Sequence, residues 1–327
     1  MTVFVISADT ASGSLTVTEK AGPSSYLPSV SVETGRGPLG AAQCTPGGML
    51  FVALAVCDEI FSVNVPTGQV AGRIRVGWAP RSLAPVPGTP YLLVANAGSD
   101  TVSVIDTGEG RTTVSIDVGR EPGAMAVSAD GSTALVCERG AGTVTALDLS
   151  PLAEGRPRRI GLHWQARLGP HPHIQPRAVA LSSGQAVVAC ARRDALPVLN
   201  VDDGSLVADV PLPQSGTAPA GIAVTGGDGF ALVALERAGL LAVVDLLDWR
   251  VTRQIPIGPG PRHLAIDTDD DTVYCALAQH SRLAVLHLDG VDLSTTDGLA
   301  QLDALTTGAR PSSVTVTRTN ESASSRN

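Results

Sequence analysis

Gly77-Trp78-Ala79-Pro80, then Tyr91-Leu92-Leu93-Val94-Ala95-Asn96, then Thr101-Val102-Ser103-Val104-Ile105-Asp106 is the stretch that decides the fold. It reads as a Gly-x-x-Pro loop, an apolar strand, a polar loop and a strand ending in Asp. The pattern recurs with Gly119 to Pro122, then Ala134-Leu135-Val136-Cys137, then Thr143 to Asp148. Its anchor prolines are Pro38, Pro80, Pro122, Pro172 or Pro176, Pro219, Pro261 and Pro311. Pro38 to Pro80, Pro80 to Pro122 and Pro219 to Pro261 are each 42 residues apart. Forty-odd residues holding about four short strands is one propeller blade.

Seven anchors predict an all-β, seven-bladed β-propeller of four-stranded antiparallel blades. After Pro311 only one strand, Ser312 to Arg318, fits before the polar end of the chain. The missing strands are at the start, Val3–Ser7 and Ser14–Thr18. Pairing them with Val314–Thr317 closes the ring and leaves no open sheet edge between the ends. Residues 1–318 are therefore expected to form one domain, and 319–327 a disordered polar tail.

Each repeated residue has a physical reason. Glycine suits a tight chain reversal before the inner strand. Proline stiffens the strand start, where a missing N–H is tolerated. Four residues past the proline stand Ala42, Ala84, Ala126, Ala180, Ala223, Ala265 and Thr315, small side chains for strands crowded near an axis. Both faces of each blade are buried, so apolar runs replace strict alternation. Extra length at roughly 150–161 and 289–302 reads as excursions before an outer strand, as bland surface or as interaction loops.

At Leu93-Val94-Ala95-Asn96 the chain resembles the YVTN-type propeller family, over essentially its whole length. That resemblance implies the fold. The family spans surface proteins, binding proteins and lactonase-like enzymes. Pro170-His171-Pro172-His173 is similar to the His-x-His of cytoplasmic lactonase-like propellers, phosphogluconolactonase relatives and muconate cycloisomerases. This second resemblance covers one blade. Cys190-Ala191-Arg192-Arg193-Asp194 stands where those enzymes usually carry Asp-Leu-Gly-x-Asp. Asp248-Trp249 does not recur, so the WD-repeat pattern is absent.

Composition excludes several functions. A formal net charge of -8 and 3% aromatic residues argue against a phosphate-tracking or base-stacking nucleic-acid binder. No apolar run approaches the length of a membrane span. The start, Met1 to Ile6, reads as a strand and not as a signal peptide. The five cysteines are odd in number and form no Cys-x-x-Cys pair. Cys137, Cys190 and Cys275 lie in apolar runs and read as reduced core thiols in a cytoplasmic protein.

In a propeller the Gly-x-x-Pro loops and the loops after each second strand open on one face, around the channel mouth. Arg81, Arg177 and Arg262 follow the anchor proline in alternate blades. Three converging guanidinium groups would favour the carboxylate or phosphate of a small anionic metabolite. They would equally bridge neighbouring loops. His173 and His263, at inner-strand entrances, are candidate proton handlers, and His280 is expected at the rim. Glu138 and Glu236, each followed by arginine, read as catalytic acids or as local ion pairs. Asp58, Asp100 and Asp194 stand in the same loops. No zinc spacing, P-loop or nucleophile elbow is present, so no metal or cofactor is expected. Two functions follow: a cofactor-independent enzyme that opens or forms a lactone, or performs a related cyclisation, elimination or isomerisation; or a non-catalytic ring that binds a ligand or protein.

Overall fold

A computed structural model describes residues 2–22, 24–35, 37–43, 49–65, 67–170, 172–227, 229–269, 271–288, 291–295 and 301–319. The end 320–327 and the residues Cys44 and His171 lie outside them, so the expected tail does too. The strands form seven antiparallel sheets around one axis. The inner strands start at Pro38, Pro80, Pro122, Pro176, Pro219, Pro261 and Pro311. Pro176, not Pro172, is thus the fourth anchor, because Pro172–Ile174 turns as a short 3₁₀ segment.

Blade seven closes the ring. The last strand, Pro311–Thr319, pairs antiparallel with the first, Thr2–Asp9, which pairs with Ser14–Gly22. A fourth strand, Val30–Glu33, lies outside them against Ser14–Val17 and completes a blade that the sequence pattern left one strand short. Seven apolar clusters occupy the seven blade interfaces. Phe4, Ile6 and Leu15 of blade seven, for example, pack with Leu50, Val52 and Phe61 of blade one. Blade six meets blade seven through Tyr274, Val285, Val5 and Val314. The small residues Ala84, Ala126, Ala180, Ala223 and Ala265 belong to these clusters, as crowding near the axis requires.

The anchor works differently from expectation. The residue before each proline carries a left-handed backbone in all seven blades, whereas the glycine three before it does so only at Gly35, Gly216 and Gly258. The seven residues before the prolines are Gly37, Ala79, Glu121, Gln175, Ala218, Gly260 and Arg310, with φ between 50° and 78°. Five of the seven are not glycine, and each costs roughly 1–2 kcal/mol. A hydrogen bond offsets this in every blade. The carbonyl of that residue accepts from the amide one past the second strand: Ala55, Ala97, Arg139, Ala191, Glu236, Ala278 and Thr10, at 2.8–3.2 Å. The leading glycine answers a steric need in three blades. A Cβ at Gly77, Gly119 or Gly308 would fall 2.3–2.9 Å from side-chain atoms of Asn96, Glu138 or Asp9.

Both excursions lie between the third and fourth strands of their blades. The first forms a short helix, Ser150–Ala153, and seats Leu152 in the core. The second seats Leu293 against blades five and six. Cys137, Cys190 and Cys275 are buried free thiols, and burial raises all three, the latter two to about 12. None is a nucleophile near neutral pH. Among the described residues no helix is long and apolar enough to cross a membrane.

On the face opposite the strand entrances, Asp267 ends the inner strand of blade six and is 2% exposed. It pairs with Lys20 at 3.0 Å and with Arg318, both from blade seven. Removing one partner of a buried pair leaves the other charge uncompensated. Asp267→Asn should lower the unfolding free energy by about 3 kcal/mol in urea titration. A loss within about 0.5 kcal/mol would show that the latch is dispensable.

Candidate functional site

In blades two to six the channel mouth is lined from two repeat positions: the residue after the anchor proline, and the residue after the second strand. The hydrogen bond repeated in every blade holds them side by side. Blades two, four and six place arginine at the first position: Arg81, Arg177 and Arg262. Blades three and five have Gly123 and Ala220 there and put their charge at the second, Arg139 and Glu236. A Cβ at Gly123 would lie 3.3 Å from Cδ of Arg139, so the arginine stem folds over the glycine. The mouth takes one long side chain from each of these five blades.

All of these except Glu236 line a cavity of about 230 Å³ on the axis. Every blade contributes: Gly40, Arg81, Gly123, Arg177, Ala220, Arg262 and Ser312, with Arg139 and His263. A second lobe of about 350 Å³ shares Arg177 and Arg262 and adds Glu236, Arg192, Arg237 and Gln279. A third, of about 430 Å³, shares Arg139 and adds His173, Asp100, Arg120 and Glu121. The shared walls make one funnel, within the size range of small-molecule sites.

Glu236 stands between two blades. One carboxylate oxygen accepts from Nε of Arg262 at 2.8 Å, and the other from Arg177. Burial alone would raise its carboxyl; the charges and hydrogen bonds of Arg262 and Arg177 outweigh that and hold it below the usual value. Burial also lowers Arg81 and Arg139. Glu121 opposes this at both, while Arg262 and Arg177 reinforce it, and Arg81 adds its own repulsion at Arg139. The four guanidinium groups therefore feel one another's charge.

His263 is exposed to the axial cavity, with protein packed on every side of the channel around it. Burial pushes its imidazole down to about 4. Its Nδ1 accepts from the Val314 amide at 3.4 Å. That leaves the proton on Nε2, so near neutral pH His263 is a neutral donor, not the resting base.

The other candidates divide. His173 sits in the third lobe, beside the arginine cavity and not in it. His280 is exposed in the loop after its second strand, and its neighbour Gln279 takes the wall. Glu138 is a correction. Its side chain is fully buried inside blade three and lines none of the three lobes. The Gly119 amide, Thr143, Thr145 and Gln165 all donate to its carboxylate. It is a structural plug, as are Asp9 and Asn96 in their blades. Asp58 and Asp100 accept from the amides of Ala79 and Glu121 in the next blade, and Asp194 from Gly216. These loop carboxylates tie blades together. From the sequence alone, Arg139 reads as the arginine that follows Glu138, a local ion-pair partner. Its signal was its repeat position, shared with Glu236, and the glycine opposite it.

Among the described residues no group of three or more His, Cys, Asp or Glu is arranged to hold a metal. No family model matches the chain, so the likeness to YVTN-type repeats stands on the motif alone. No curated protein matches it either. Solved structures do. A putative 6-phosphogluconolactonase from Bacteroides fragilis superposes with TM-score 0.79 at 13% identity, covering 97% of this chain and 98% of that one. The periplasmic gluconolactonase of Pseudomonas aeruginosa gives 0.77 at 16% identity, covering 97% and 99%. The hydrazine synthase of Kuenenia stuttgartiensis gives 0.73 at 19%, covering 86% and 96%. At these identities the likeness is one of fold.

Protonating an imidazole whose surroundings favour its neutral form opposes folding. With a folded value near 4 and an ordinary one of 6.5, the unfolded chain binds more protons between them. Stability should therefore fall as pH drops from 6.5 to 4, and His263→Gln should flatten that part of the curve of thermal midpoint against pH. Equal slopes in parent and variant would place the imidazole in ordinary solvent.

Proposed function

We propose that the funnel binds a small anionic carbonyl compound and that the chain opens or closes a lactone there without a cofactor. The carrying observation is Glu236, held by Arg177 and Arg262 on the wall of an arginine-lined cavity. A carboxylate among guanidinium groups supplies both halves of acyl transfer. Glu236 takes a proton from the attacking water. The arginines and the Nε2–H of His263 stabilise the oxyanion formed on the carbonyl. The ring oxygen then leaves with the proton. The gluconolactonase names among the structural neighbours support a lactone-related reaction. The unpaired buried thiols favour a cytoplasmic setting, although one of those neighbours is named periplasmic.

A second reading uses the same cluster without chemistry. Two guanidinium groups on one carboxylate weaken it as a base, which suits a ring that only binds its ligand. Turnover separates the two. On a panel of aldonolactones with acid release as the readout, Glu236→Gln should lower kcat by about 100-fold or more, with a smaller change in KM. No turnover by the parent chain, with anion binding retained, would leave the binding ring.

A further inference from the structure

The arginine cluster is neutralised on one arc only. Glu236 serves Arg177 and Arg262 of blades four and six. Arg81 and Arg139, of adjacent blades two and three, form no hydrogen bond or ion pair among the described residues. Nε of Arg139 is buried without a partner. Such a donor is costly to leave unmade. Glu121 acts on both through its charge and bonds to neither. The four guanidinium groups outnumber the carboxylates that act on them, Glu236 and Glu121, in a chain whose net charge is -8.

Resting on the ligand-binding reading of the funnel, we propose that Arg81 and Arg139 form a subsite for a doubly negative oxyanion. The substrate carries that group on a single centre, as in a phosphate monoester, away from the carbon that Glu236 serves. Each guanidinium fork grips two oxygens, so two forks on one wall suit a tetrahedral group with three free oxygens. Gly123 gives Arg139 its path to the wall. The uncharged arc of Gly40, Ser312 and Ser313 leaves the rest of the substrate unopposed.

Binding of methyl phosphate, acetate and succinate, measured by calorimetry, tests this without any turnover. Methyl phosphate should bind at pH 7 at least about tenfold more tightly than acetate. Its affinity should fall several-fold between pH 7 and 5 as the second negative charge is lost near pH 6. Arg81→Gln and Arg139→Gln should each weaken it by about tenfold or more. Both variants should keep the parent's thermal midpoint or exceed it, because each removes a charge from a self-repelling cluster. Parent-like affinity in either variant, or acetate binding as tightly as methyl phosphate, would overturn the subsite. Succinate as the tightest ligand would overturn the single-centre dianion. Lactone turnover alongside unchanged phosphate binding in Arg81→Gln would sink this subsite and spare the enzymatic reading. Loss of phosphate binding in a chain that turns over nothing would do the reverse.

Discussion

The pairing of the chain's last strand with its first is the constraint on which the rest depends. Without Pro311–Thr319 the seventh sheet has no inner strand, and Thr2–Asp9 presents an open edge. With it, every blade has two neighbours and every apolar face is covered. A closed ring also fixes how far each inner strand stands from the axis. That distance decides which side chains meet at the mouth.

Given closure, one small device repeated in every blade sets the mouth. A left-handed residue before the proline turns its carbonyl to the amide one past the second strand. Two side-chain positions are thereby brought together at the channel. Small residues at one position admit long ones at the other, as Gly123 does for Arg139. Charge then follows blade order: Arg81, Arg139, Arg177, Glu236, Arg262. Glu236 is doubly paired because arginine stands on both sides of it, and Arg81 and Arg139 are not paired because no carboxylate stands at the channel positions between them.

The fold was legible because the Gly-x-x-Pro period recurs with short apolar runs between its copies. So was the ring closure, from one strand left over at the end and strands without an anchor at the start. Val30–Glu33 was not, since it follows no anchor and is mostly exposed. At the site, Arg81, Arg177 and Arg262 could be read from register with the prolines. Glu138 and Arg139 could not be told apart by adjacency, because neighbouring residues of a strand point to opposite sides. Glu138 turns into blade three, and Arg139 turns into the channel. Which histidine meets the arginines depended on the loop before Pro176, where a 3₁₀ turn carries His173 away from the axis.

The account's central claim is that closing the ring assembles the anion site. It is tested most directly by sulfate binding to a chain ending at Gly308, with and without a peptide of residues 309–319 added in trans. Sulfate affinity should be lost on truncation and recovered when the peptide binds. Undiminished sulfate affinity in the truncated chain would contradict it.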